Sequence, residues 1–284
     1  MQDKMSFVIG QAPFPTTVSG EGTPPTFCGY QFATVSTIED SRVVAAAKKR
    51  NKKHPWTKIE STLENVSVCI PWNLGCEANV LLSIMSSWNA CAHFLGETLV
   101  KLFPTKQTLY ISTGVHSEHV LVGASEGLAI LVALLGFKVG PSCGCSFTGF
   151  VNSYGMPAGA DQGWKSIRQL KIQKVDNVDE KVRGICLQSR ETLVMGTENG
   201  EEAKQMFGSE SGVRFVYPPY GHKRLTPQGY RDTVLRPYRG RRITMGVPTV
   251  VVCENLEDVV QFIEDVMGIR SMFEAAWNSE LEEA

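Results

Sequence analysis

Gly123-Ala124-Ser125-Glu126-Gly127 sets a serine between glycines at the mouth of an apolar run, with Thr148-Gly149 and Gly163-Trp164-Lys165 following at fixed distances. A serine on such a turn presents its hydroxyl where the first free N–H groups of a helix also point, which is the geometry of a nucleophile with backbone donors for an oxyanion. Gly123, Ala124 and Ser125 are the expected backbone of that oxyanion site. Lys165 stands among Trp164, Ile167 and Leu170. A lysine desolvated by such neighbours loses its proton more readily and can serve the serine as a base. These residue types at this spacing point to a Ser/Lys hydrolase.

The rest of the chain bounds this reading. Its 284 residues suffice for one large domain or two small ones, and 28 basic against 29 acidic residues give no global argument for a nucleic-acid or membrane partner. The N-terminal residues are too polar for a signal peptide, no stretch has the uninterrupted apolar length of a membrane span, and a cytoplasmic location is expected. The eight cysteines are scattered, which fits reduced thiols rather than a disulfide framework. Cys143 and Cys145 with His116 and His119 could be drawn as a zinc site. Their spacing is tighter than zinc motifs use, so no metal is expected. The run Lys48 to Lys53 reads as a solvated loop rather than a nucleic-acid patch, and His93 as a core histidine on an apolar helix.

The elements expected to position the serine form a mixed α+β domain. Breakers at Gly10, Pro13, Pro15, Gly20, Gly22, Pro24 and Pro25 suggest an extended arm over 1–26, ahead of a first strand at 27–35. One domain then spans 27–270, with a possible inserted lobe at 195–245 and an acidic tail over 271–284. Helical spacing covers 78–103 with a kink near Gly96, and an all-apolar helix over 127–135 belongs at a domain centre. A further helix is expected at 164–172. Strands are expected at 66–71, 108–113, 146–154, 184–188, 193–194, 213–217 and 248–253, the last followed by an amphipathic helix at 256–267.

The order Gly123 to Leu135, Thr148-Gly149, Gly155, Pro157, Gly159 and Lys165 resembles the proteolytic domain of Lon-type proteases, and in layout their ATPase-less relatives, the birnavirus polyprotein proteases. Those enzymes open an apolar helix with Gly-Pro-Ser-Ala-Gly, then show a Thr-Gly strand, a Gly, a Pro and a Gly-Gly-x-Lys lysine. The resemblance implies Ser125 as nucleophile, Lys165 as general base and Thr148 as the hydroxyl that orients the lysine. Val122 and Ala124 depart from the pattern, and Ala160, Asp161 and Gln162 lengthen the step to the lysine. No phosphate-binding Gly-x-x-x-x-Gly-Lys-Ser/Thr motif occurs. The implied activity is an ATP-independent serine endopeptidase with no cofactor, an oligomer being possible, that processes a viral polyprotein in the host cytoplasm and releases its own end at Ala284.

Two other readings use the same residues. Gly-x-Ser-x-Gly is also the elbow of α/β-hydrolases, with 119–122 as its strand, but His222 is the only histidine after Ser125 and no acid-then-histidine order follows. Alternatively Ser125 is a helix N-cap on a non-catalytic binding module.

Overall fold

The computed structural model describes residues 7–18, 26–38, 57–59, 63, 66–70, 78–103, 107–113, 124–140, 143–152, 163–187, 192–208, 212–217 and 248–274. The fold is mixed α and β. A five-stranded sheet contains β1 (Phe7–Val18), β2 (Thr26–Ile38), β3 (Thr57–Ile59), β4 (Val66–Ile70) and β5 (Gln107–Ser112) in the order β1-β2-β5-β4-β3. Only β4 and β5 run parallel in it. A second sheet is wholly parallel, in the order β10-β11-β9-β6, from β6 (Cys145–Phe147), β9 (Thr192–Gly196), β10 (Arg214–Val216) and β11 (Thr249–Cys253). Its central strands β9 and β11 are buried at every position and read as continuous apolar runs, as parallel strands covered on both faces do. The short strands β7 (Phe150–Val151) and β8 (Ile172–Gln173) pair antiparallel.

Two helices carry the centre. α1 (Ala78–Leu102) packs on α2 (Gly127–Leu134), and all eight residues of α2 are buried between α1 and strands β1 and β2. The smaller helices are α3 (Trp164–Ile167), α4 (Val178–Leu187), α5 (Thr197–Phe207) and α6 (Leu256–Gln261), the last continuing as a π-turn over Phe262–Val266. No helix among the described residues is long and apolar enough to cross a membrane.

Several expectations are corrected. Within the arm expected over 1–26, Phe7–Val18 form the edge strand β1, paired with β2 along its length, while 1–6 and 19–25 lie outside the described residues. Its prolines are tolerated because of their parity. Gln11 directs its N–H and C=O away from β2, to Phe137 and Val139, so Pro13 and Pro15, in phase with it, lose no ladder donor. α1 runs unbroken through Gly96, a site of close approach where a Cβ would stand 3.0 Å from Leu63. The strand expected at 184–188 is the end of helix α4, whose Val178, Val182 and Ile185 are buried at helical spacing. The helix expected over 164–172 stops at Ile167, and β8 occupies its end. The strand expected over 146–154 is interrupted at Thr148-Gly149.

The lobe expected at 195–245 begins instead as core structure, since β9, α5 and β10 lie within the parallel sheet or against it; residues 218–247 lie outside the described set. Nor is the whole of 271–284 a free tail. Ser271 and Phe273 are buried, and Ser271 Oγ donates to Leu135 O at 2.6 Å. His93 is exposed rather than a core residue.

Candidate functional site

The turn before α2 is held from two sides. On one side α1 supplies hydroxyls: Ser83 Oγ donates to Ala124 O at 3.2 Å, and Ser87 Oγ lies 3.0 Å from Gly127 O. Both serines are fully buried. Gly127 permits this approach, because a Cβ there would stand 2.7 Å from Ser83 Oγ. On the other side lies Thr148-Gly149. Gly149 N donates to Ser125 O at 3.0 Å and Leu128 N donates to Gly149 O at 2.9 Å, so the start of α2 and this segment form a short two-way ladder. Gly149 is also a close approach, a Cβ there meeting Ile172 at 2.6 Å.

Thr148 is fully buried, with Oγ1 3.5 Å from Ser125 O and its N–H on Val194 O at 2.9 Å. The parallel sheet is thereby coupled to the serine turn. Ser125 itself is half-buried. It does not cap the helix: the cap position is Glu126, which makes no side-chain cap bond. The serine hydroxyl is therefore not consumed by the N-cap role that a purely structural reading gives it.

Lys165 sits in α3, and that helix is tied at both ends. Gly163 N donates to Phe94 O of α1 at 2.6 Å, and Leu256 N and Glu257 N at the start of α6 bond to Leu170 O and Arg168 O. Arg168 also pairs with the Glu257 carboxylate, its Nη2 reaching Oε1 at 2.6 Å, and its guanidinium lies 5.4 Å from the Trp164 ring centroid. Phe94 is seven residues beyond Ser87, about 10 Å along α1. Ser125 and Lys165 are thus both referenced to one helix. Trp164 and Ile167 are buried, but the Lys165 side chain is exposed, so the desolvation expected from its apolar neighbours does not reach it.

Two further ionisable residues are buried, Glu126 in the turn itself and Lys181 in α4. Glu126 and Lys181 are each 2 % exposed and interact electrostatically. Burial pushes the Glu126 carboxyl up to about 8, against the favourable effects of its own backbone N–H, Lys181 and Ser83. Burial brings the Lys181 amine down to about 8, against Glu126 and Asp176. Lys181 Nζ donates to Asp176 O at 2.7 Å, and the carboxyl oxygen Glu126 Oε1 has no partner. Neither residue stands out in the sequence: Glu126 looks like a solvated first-turn acid, and Lys181 lies in a charged stretch, Asp179 to Arg183, that reads as surface.

Gly123, His116, His119, the basic run 48–53, the elbow strand 119–122 and His222 lie outside the described residues. Cys145 is buried on β6, Cys143 is half-buried, and no metal-binding group of three or more His, Cys, Asp or Glu occurs among the described residues. A scan of protein-family models gives no match to the chain, and a search of curated proteins gives none either.

Proposed function

We propose that the protein is an ATP-independent serine endopeptidase of Lon-like fold that processes a polyprotein, viral in origin, in the host cytoplasm. Ser125 attacks the peptide carbonyl, backbone N–H groups of the turn around Ser125 hold the oxyanion, and a lysine takes the hydroxyl proton. The resemblance to Lon-type proteases names Lys165 for that proton and Thr148 as its orienting hydroxyl. The observation that carries the reading is the ladder between Ser125 and Thr148-Gly149, which makes one unit of two motifs more than twenty residues apart. Lys165 is exposed, so in this reading bound substrate covers it at the moment of proton transfer.

The test is cleavage of an unstructured decapeptide library, read by mass spectrometry, with wild type and folded Ser125→Ala. Loss of every wild-type product in the variant supports the reading; unchanged products remove Ser125 from the chemistry.

A further inference from the structure

We infer that Arg168 is a positioning residue for Lys165: its ion pair with Glu257 sets where the one-turn helix α3 presents the lysine to the serine turn. The inference rests on the reading of Lys165 as the base. α3 spans only Trp164–Ile167, too short to hold its own geometry, so contacts with other elements must place it. Lys165 itself makes no hydrogen bond or ion pair among the described residues, and its side chain is exposed. The lysine therefore goes where α3 puts it.

Arg168 follows directly on that helix and grips in two directions. Its Nη2 reaches Glu257 Oε1 at 2.6 Å and its Nε meets the second carboxylate oxygen, a two-pronged pair whose side chains are only 18 % and 15 % exposed. Its guanidinium also lies 5.4 Å from the Trp164 ring centroid, so Arg168 secures the chain on both sides of Lys165. The backbone repeats the link, with Glu257 N donating to Arg168 O at 2.7 Å. Glu257 is held in turn by Gln261, whose Nε2 donates to Oε1 at 2.8 Å, and it lies in the first turn of α6, which follows β11 after Glu254 and Asn255. β11 pairs with β9, and Val194 O of β9 accepts the N–H of Thr148. Arg168 thus refers the lysine to the same parallel sheet that holds Thr148-Gly149 against Ser125.

Proton transfer is steep in distance, and a base misplaced by about 1 Å can cost on the order of a hundredfold in rate. Arg168→Gln removes both the charge and the fork, so kcat for the best peptide of the library should fall about tenfold with KM unchanged, as loss of an interaction made only in the transition state requires. Arg168→Lys keeps the charge as a point and cannot make the two-pronged contact, so it should recover only part of that loss. Reversing the pair, Arg168→Glu with Glu257→Arg, remakes the ion pair without the Trp164 contact and should raise kcat above either single reversal.

The experiment is a double-mutant cycle in kcat over wild type, Arg168→Gln, Lys165→Ala and the double variant, with the reversed pair alongside and the folding of each checked by chemical denaturation. If Arg168→Gln does not fold, Arg168→Lys takes its place in the cycle. A residue that acts through the lysine has nothing to position once the lysine is gone, so the change at Arg168 should cost nothing further in the Lys165→Ala background. The same loss in both backgrounds is general structural damage and overturns the positioning role. Wild-type kcat in the Arg168 variant, with Lys165→Ala impaired, overturns it as well, and a reversed pair no faster than the single reversals overturns the ion pair as the device. Lys165→Ala at wild-type kcat overturns the base, and the positioning role with it; that failure is told apart because it shows in a protein whose Arg168 and Glu257 are intact.

Discussion

The Gly149 amide donates to the carbonyl of Ser125 at 3.0 Å, so the serine turn is fastened by backbone as well as by side chains. Backbone bonds of this kind do not depend on rotamer choice. They fix the backbone of the turn in advance, as the proposed oxyanion site around Ser125 requires.

If Lys165 is the base, Lys165→Arg should be as damaging as Lys165→Ala, because arginine stays charged at any working pH. Both should lower kcat about a hundredfold or more, the scale of general-base catalysis. Kinetics on folded variants check this, and an active Lys165→Arg dismisses the residue as a base.

Thr148→Val should cost less, about tenfold in kcat, since the hydroxyl only positions a neighbour. Its backbone bonds to Val194 and, through Gly149, to Ser125 survive the change. Wild-type kinetics in this variant would take the hydroxyl out of the site.

Gly127→Ala should destabilise the fold by about 1–3 kcal/mol, as overpacking does, because the new methyl meets Ser83 Oγ. Ser83→Ala removes that oxygen. A double-mutant cycle by denaturation should therefore show the pair losing less than the sum of the single changes; simple additivity would mean that the clash is not where the geometry puts it.

Asp258 gives a pH prediction away from the site. Burial raises its carboxyl to about 6, although Oδ2 accepts from Glu254 N at 2.7 Å in a reciprocal cap with Asn255. A carboxyl raised on folding binds its proton more tightly in the native state, so stability is lost as pH rises from about 4 to about 6. Asp258→Asn should remove that loss, gaining up to about 3 kcal/mol on wild type across the interval. Parallel stability–pH curves for the two proteins would count against it.

Much of the fold was legible in the sequence where the apolar period is long. α1, α2 and β11 follow from runs that allow one reading, and β4 and β5 from short apolar stretches bounded by polar residues. The errors fall where a local signal was overridden by partners far along the chain. Pro13 and Pro15 look like breakers until β2 and the 137–139 segment show which way each N–H would have pointed. Gly184 to Leu187 looks like a strand because its helical partners Val178 and Val182 lie before it. At the site, only the resemblance linked Thr148-Gly149 to Ser125, and the turn before α2 was readable from its glycines and apolar run. Burial is a tertiary property, so the exposure of Lys165 and the burial of Glu126 and Lys181 were not.

The helix that begins at the serine turn is also gripped at its far end, where Ser271 Oγ takes Leu135 O and Met272 N takes Gly136 O. α2 is thus a buried axle with a bearing at each end. It cannot slide without breaking one bearing, so the height of Ser125 above the core is gauged from a segment more than 130 residues downstream. A change at Ser271 or Phe273 would reach Ser125 along the axle, through the bonds at Leu135 and Gly136.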